Sequence, residues 1–251
     1  MNKKDMTVLE HILELRKRLV FILIFFIIAF GAGIFLARPA ILYLQDSKEA
    51  AHLHLNVFRV TDPIVIYLEM AFVIACIITF PIILYQVWAF VSPGLLEKER
   101  KVTLSYIPLA IVLFLAGIAF AYFILFPYVL LFTTKVSEQI NVNQVIGINE
   151  FFHFLYQLTL PFGFLFQLPV IILFLTRLEI ITPQFLKRVR KYAYFVLLIV
   201  AALITPPDVI SQVIVVLPLI ALYEISIWIA KIGYRKKMKN QQDAKKPFHS
   251  A

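Results

Sequence analysis

Along this chain, uncharged apolar runs alternate with short charged clusters, and the length of each run is the first guide to structure. A hydrocarbon core about 30 Å thick takes roughly 20 apolar residues of helix. Leu19 to Ala37 is an uncharged run of 19 residues, and Ile64 to Val91 carries a single acid, Glu69, with Pro81 inside it as an expected kink. Val102 to Thr134 is uncharged for 33 residues, too long for one perpendicular span and too short for two with a turn. That length predicts a helix ending near Pro127, followed by an apolar segment on the membrane surface. Phe151 to Thr176 supplies 26 residues, with Asn149 as N-cap before it. Tyr192 to Pro207 offers only 16, and Val209 to Ala230 offers 22 with Glu224 as the sole charge. Between these last two, Thr205-Pro206-Pro207-Asp208 reads as a tight turn, because consecutive prolines end a helix.

The expectation is therefore an all-α, polytopic membrane protein: a bundle of six transmembrane helices over residues 1–230, the last two shortened. Its spans fall at about 19–37, 64–90, 103–126, 151–175, 192–205 and 209–230. Residues 231–251 lack an apolar face and read as a disordered basic tail. The first run follows a basic stretch, as a signal peptide would. Asp5, Glu10 and Glu14 also precede it, however, and Ala37-Arg38-Pro39 is a poor cleavage site, so it is read as a retained helix.

Composition agrees with the pattern. Of 251 residues, 61% are hydrophobic and 16% charged, too little polar surface for a soluble domain of this size. A single cysteine, Cys76, excludes an internal disulfide or a multi-cysteine metal site. The formal charge of +9 has a topological origin rather than a nucleic-acid one. Six spans put both termini on one side. That side collects 20 of the 24 Lys and Arg, leaving Arg38, Lys48, Arg59 and Lys135 on the other. By the positive-inside bias, the N and C termini and the two intervening basic loops are cytoplasmic, and the basic clusters also meet anionic lipids.

Exceptions to the pattern are the places to look for chemistry. Thr7 and Glu10 fit a capping box that starts a helix well before the membrane, with Val8, Ile12, Leu15 and Leu19 on one stripe and Glu14 and Arg18 paired at i, i+4. This predicts an amphipathic helix lying on the interface and turning into the first span. Ser92 and Pro93 would begin the helix of the first cytoplasmic loop, with Glu97 and Glu99 in its opening turns, where acids suit the helix dipole. Glu14 and Glu99 are acids in basic territory. Two carboxylates facing one another there would receive a guanidinium by forked hydrogen bonds. Within the spans, Glu69 and Glu224 should face the bundle, a partner or a water-filled dip, and Gln167 either bonds a neighbouring helix or marks a docking face.

Enzyme readings fail: there is no Walker sequence, Gly-x-Ser-x-Gly or His-Glu-x-x-His, and no span contains an Asp. His52 and His54 alternate in an outer loop without a third metal ligand, so neither a metal nor a cofactor is expected. A small proton-coupled secondary transporter using Glu69 and Glu224 is the rival from another class, but the chain shows no inverted repeat.

Five blocks occur in order: His11-Ile12-Leu13-Glu14-Leu15-Arg16-Lys17-Arg18-Leu19, Pro81 to Phe90 with its Tyr85-Gln86-Val87-Trp88 centre, Glu99-Arg100, Phe120-Ala121-Tyr122-Phe123, and Thr205-Pro206-Pro207-Asp208-Val209-Ile210-Ser211-Gln212. Together they closely resemble the TatC family, the multispanning subunit of the twin-arginine protein translocase. The resemblance implies a bacterial cytoplasmic membrane protein that is not an enzyme. It would recognise paired-arginine signal peptides of folded cargo and assemble with further copies of itself and single-span TatA/TatB-type subunits, driven by the proton-motive force. It places signal-peptide binding on Glu14 and Glu99, with Arg16 and Phe90 shaping that surface. Partner-helix docking falls on Gln167, where relatives often carry Glu. Assembly or transport at the outer turn falls on Asp208 and Gln212. Cargo identity, stoichiometry and translocation path are not carried by the resemblance, nor are roles for Glu69, Glu97 and Glu224.

The fifth span is short: 13 residues from Tyr192 to Ile204 make about 20 Å of helix against a core of about 30 Å. The bilayer around the reconstituted protein should therefore be locally thinned, as part of how material crosses. A bilayer thickness equal to that of bulk lipid would count against this.

Overall fold

A computed structural model describes residues 8–47, 55–95, 97–142, 145–178, 180–205 and 209–245. The described residues are helical apart from short loops and one isolated bridge between Asn56 and Gly147. The helices are α1 (Val8–Gln45), α2 (Asp62–Val91), α3 (Glu97–Leu104), α4 (Tyr106–Phe120), α5 (Phe126–Gln139), α6 (Ile148–Leu165), α7 (Leu168–Arg177), α8 (Pro183–Arg188), α9 (Arg190–Ile204) and α10 (Val209–Lys245). Among the described residues, five stretches are long and apolar enough to cross a membrane: Leu9–Gln45, Asp62–Gly94, Arg100–Gln139, Ile148–Arg177 and Ser211–Tyr234. At 15 residues α9 is not among them, in keeping with the short apolar run seen there.

Contacts group the chain into two compact units, Met1–Phe162 and Gly163–Ala251. In the first, α1 and α2 run antiparallel in a register read from two points: Arg18 meets Gln86, and fifteen residues on along each helix Gly33 meets Ala71. Small residues make the approach close. Ala29 and Ala37 on α1, one turn either side of Gly33, are buried, as are Ala71 and Ala75 on α2. A Cβ at Gly33 would lie 2.6 Å from the carbonyl oxygen of Ala71, so only glycine fits. Without a hydrophobic driving force between helices in lipid, such backbone-to-backbone packing is what holds two spans together. The large side chains of α1, among them Leu23, Ile24, Ile27, Ile28 and Phe35, stay exposed, as suits a lipid-facing surface. Beyond this seam aromatic residues fill the core. Phe80 of α2 stacks on Phe114 of α4 at 3.8 Å, and Phe126 meets Phe151 edge-on at 5.2 Å.

In the second unit α7 and α9 pack on α10. Tyr223 donates from its hydroxyl to the Leu186 carbonyl of α8 at 3.0 Å, and Thr182 caps α8 by accepting from the Phe185 N–H.

Several sequence expectations are corrected here. Among the described residues no separate interfacial helix precedes the first span: α1 is continuous from Val8 through Gln45, with no proline or glycine between Val8 and Phe30 to break it and Pro39 accommodated inside it. The proposed cap residue Thr7 lies outside the described residues. The third span does not end near Pro127. A π-helical turn, Ala121–Leu125, opens the ladder just before Pro127 and accommodates its missing N–H, and the helix runs on to Gln139. Ser92 and Pro93 do not start the loop helix. They form a 3-10 turn that closes α2, where the Ser92 N–H bonds the Trp88 carbonyl. Asn149 lies inside α6 and is not its cap. The fourth span is interrupted at Phe166–Gln167, since Pro169 has no N–H to bond the preceding turn. Of the last two helices only α9 is short. α10 continues to Lys245 through residues expected to be a disordered tail, because its Lys, Arg, Gln and Ala are good helix formers. The Pro206-Pro207-Asp208 part of the turn before it lies outside the described residues.

The seam makes a specific prediction. Gly33→Leu should destabilise the detergent-solubilised protein by about 1–3 kcal/mol, the range for overpacking a close contact. Gly31→Leu, whose added side chain starts in open space, should leave the melting temperature unchanged.

Candidate functional site

The α1–α2 register brings the ends of two sequence blocks together. Arg18, one helical turn after Glu14, donates from Nε and Nη2 to the same carboxylate oxygen, Glu14 Oε1, at 3.1 and 2.5 Å. The guanidinium also reaches α2, from Nη1 to Gln86 Oε1 at 2.9 Å and from Nη2 to the Ala89 carbonyl at 3.2 Å. Both side chains are about four-fifths withdrawn from solvent, at 22% and 21% exposure. Among the described residues, the second carboxylate oxygen, Glu14 Oε2, is buried with no hydrogen-bond partner. Beside it opens a cleft of about 320 Å³ lined by Glu14, Lys17, Arg18, Phe21 and Gln86.

Helical spacing explains why these residues converge. Gln86, Ala89 and Phe90 are i, i+3 and i+4 on α2, one face of the helix, and Glu14, Lys17 and Arg18 are the same on α1. Phe90 stacks on His11 at 4.2 Å with the rings 25° apart, closing the seam one turn before Glu14. The short helix α3 is tied to the same end of α2. Trp88 Nε1 donates to Thr103 Oγ1 at 3.1 Å, and the Arg100 guanidinium sits 5.8 Å over the Trp88 ring.

Of the residues expected to bind a signal peptide, Glu14 and Phe90 are thus brought to one seam. Arg16 is not: two positions from Glu14 it projects from the opposite side of α1, is exposed, and does not line the cleft. The backbone of Glu99 falls in the first turn of α3, but its side chain lies outside what the structure describes. Glu97 is exposed. Gln86 and His11 were not singled out from sequence. The usable signal was a polar Gln86 in an apolar helix, with its i+3 and i+4 neighbours facing a paired acid.

Gln167 sits at the break between α6 and α7, 6% exposed, its Nε2 donating to the Gly163 carbonyl at 3.4 Å. Phe164 and Ile171, three before and four after it, are about half exposed on the same face. Gln212, in the first turn of α10, donates to the Leu198 carbonyl of α9 at 3.4 Å. Asp208 lies outside the described residues.

Of the two acids within spans, Glu224 is held on both oxygens, while Glu69, like Glu14, keeps a buried oxygen, Oε2, with no hydrogen-bond partner among the described residues. Glu69 Oε1 lies 3.5 Å from His153 Nδ1. Glu224 receives Arg190 Nη2 at 2.6 Å and the Tyr194 hydroxyl at 2.5 Å. An acid held by a guanidinium and a phenol is a structural tie between α9 and α10, which removes support for a relay through Glu224. Among the described residues no group of three or more His, Cys, Asp or Glu is placed to hold a metal ion, and His52 and His54 lie outside them.

Comparison with known proteins gives a consistent result. The family described as Sec-independent protein translocase protein (TatC) matches residues 10–218. TatCy of Bacillus subtilis (strain 168) is 60% identical over 240 residues, 96% of this chain and 94% of that one. TatCd of the same organism is 39% identical over 248 residues, 97% of this chain and 99% of that one. A crystal structure of the twin arginine translocase receptor TatC is 32% identical and superposes with a TM-score of 0.79, covering 89% of this chain and 99% of that one. With its helical architecture and several apolar spans, the chain therefore belongs to the TatC family, multi-pass membrane components of the twin-arginine protein translocase and not enzymes.

Proposed function

We propose that this chain is the signal-peptide receptor and core subunit of its translocase, and that the Glu14 cleft takes an arginine of a paired-arginine signal. One observation carries the reading: a carboxylate oxygen, Glu14 Oε2, is buried without a partner beside an open cleft, in a segment otherwise rich in Arg and Lys. A guanidinium answers both the charge and the missing donor, and its planar fork distinguishes arginine from lysine. Glu99 at the start of α3 is assigned the second arginine, supported by the tie from Trp88 to α3 at the same end of α2. Phe90 borders the surface on which the rest of the signal lies.

In this reading α9 is the fifth of six spans, set in a thinned bilayer, both termini are cytoplasmic, and the protein resides in the bacterial cytoplasmic membrane with anionic lipid at its basic loops. Folded cargo is exported by copies of this chain assembled with single-span TatA/TatB-type subunits, using the proton-motive force. A partner helix docks on the exposed Phe164 and Ile171 with Gln167 beneath them as the hydrogen-bonding group. Asp208 and Gln212 act at the outer turn in assembly or transport.

The receptor assignment is tested with a fluorescent signal peptide and the purified protein in detergent. Glu14→Gln and Glu99→Gln should each weaken binding of the twin-arginine peptide about tenfold or more, the scale of one charge-assisted hydrogen bond. Glu97→Gln should bind like wild type, and a twin-lysine peptide should bind all of them weakly. Equal affinities for all three variants would sink the assignment. Partner docking has its own test by site-specific crosslinking in the native membrane. A photoreactive group at Phe164 or Ile171 should capture a single-span subunit, and Gln167→Leu should reduce that yield while Gln167→Glu preserves it.

A further inference from the structure

The geometry points to Arg18 as an intramolecular stand-in for the ligand: its guanidinium occupies the seat that an arginine of the signal peptide takes, and Gln86 and the Ala89 carbonyl belong to that seat. The inference rests on the receptor reading above and extends it to how the site stands before ligand arrives.

Three acceptors converge on one guanidinium: a carboxylate oxygen of Glu14, the amide oxygen of Gln86 and the main-chain carbonyl of Ala89. That set accepts on three sides of a planar cation and suits arginine in particular, since a lysine ammonium has no fixed fork to match it. The donor presently in it comes from the receptor itself. Its hold on Glu14 is lopsided. Both Nε and Nη2 point at Oε1, while Oε2 is buried and unpartnered. A fork laid across both oxygens would satisfy the carboxylate fully, and a helical side chain at i+4 does not supply it here. An incoming arginine that is free to choose its approach from the cleft can do so, and Arg18 retains water and lipid headgroups as alternatives when it leaves. The seat is thus built to be exchanged, with the cis guanidinium keeping the carboxylate from standing fully unpaired in the apolar seam.

A tethered competitor lowers the apparent affinity of the receptor by the fraction of time the seat is open. It also raises the threshold for ligands that cannot replace all of its contacts, such as a signal with lysine in place of arginine.

The decisive variant is Arg18→Lys, which keeps the charge at this position and removes the fork. It should bind the twin-arginine peptide about fivefold more tightly than wild type, as expected for a seat freed of a partly populated competitor. Binding of the twin-lysine peptide should tighten by a similar factor and remain the weaker of the two. Arg18→Gln should tighten twin-arginine binding further, and by more than Lys17→Gln, which removes a charge from the same cleft without emptying the seat. Methylguanidinium at millimolar concentration should compete with the peptide more effectively in Arg18→Gln than in wild type. Melting temperatures in detergent establish that each variant is folded, and Arg18→Lys decides the question if Arg18→Gln does not fold. If Glu14→Gln abolishes binding but both Arg18 variants bind at or below wild-type affinity, Arg18 is a structural support for Glu14 and the inference is overturned while the receptor reading stands. If Glu14→Gln binds like wild type, the receptor reading fails and this inference with it.

Discussion

The close approach of α1 to α2 through Gly33 is the constraint on which the candidate site depends. With the Gly33 Cα against the Ala71 carbonyl, the two helices are near enough for a side chain fifteen residues away on each to hydrogen-bond directly. Arg18 then reaches both a side chain and a main-chain carbonyl of α2, an arrangement that a seam of larger residues would pull apart. Dispersion between backbones is effective in lipid because no apolar burial is gained when spans meet. The small residues are therefore the means by which a rigid platform is made for a polar site at its end.

Polar groups in an apolar chain need partners, and the structure shows how most of them find one. Glu224 is neutralised by Arg190 and Tyr194, Asp62 accepts from the main-chain N–H groups of Phe58 and Arg59, and Ser and Thr hydroxyls return to carbonyls three or four residues earlier. Glu14 differs from these. One of its oxygens is doubly bonded by Arg18, and the other is buried without a partner. A half-satisfied carboxylate at the edge of an open cleft is a different object from a closed structural ion pair, and that difference separates the candidate site from Glu224.

Much of the architecture was legible because the membrane imposes a length on apolar runs. Five of the six expected spans are helices long and apolar enough to cross, and the shortness of the fifth run reappears as the 15 residues of α9. Two of the errors share a cause. Proline was read as a helix end at Pro127, where a π turn absorbs it, and was passed over at Pro169, where the helix breaks. The local rule says only that an N–H is missing. Whether the chain bends, bulges or stops depends on what packs around it.

By itself, the sequence determined the helical class, the positions of the apolar runs, the i, i+4 pairing of Glu14 with Arg18 and the family, because each is a property of spacing along one chain. Tertiary structure decided the rest. It chose Gln86 and Ala89 as the partners of Arg18 and put Phe90 on His11. Those relations depend on the rotation and depth of one helix against another. A few small side chains and one glycine set these, and their effect is felt fifteen residues away.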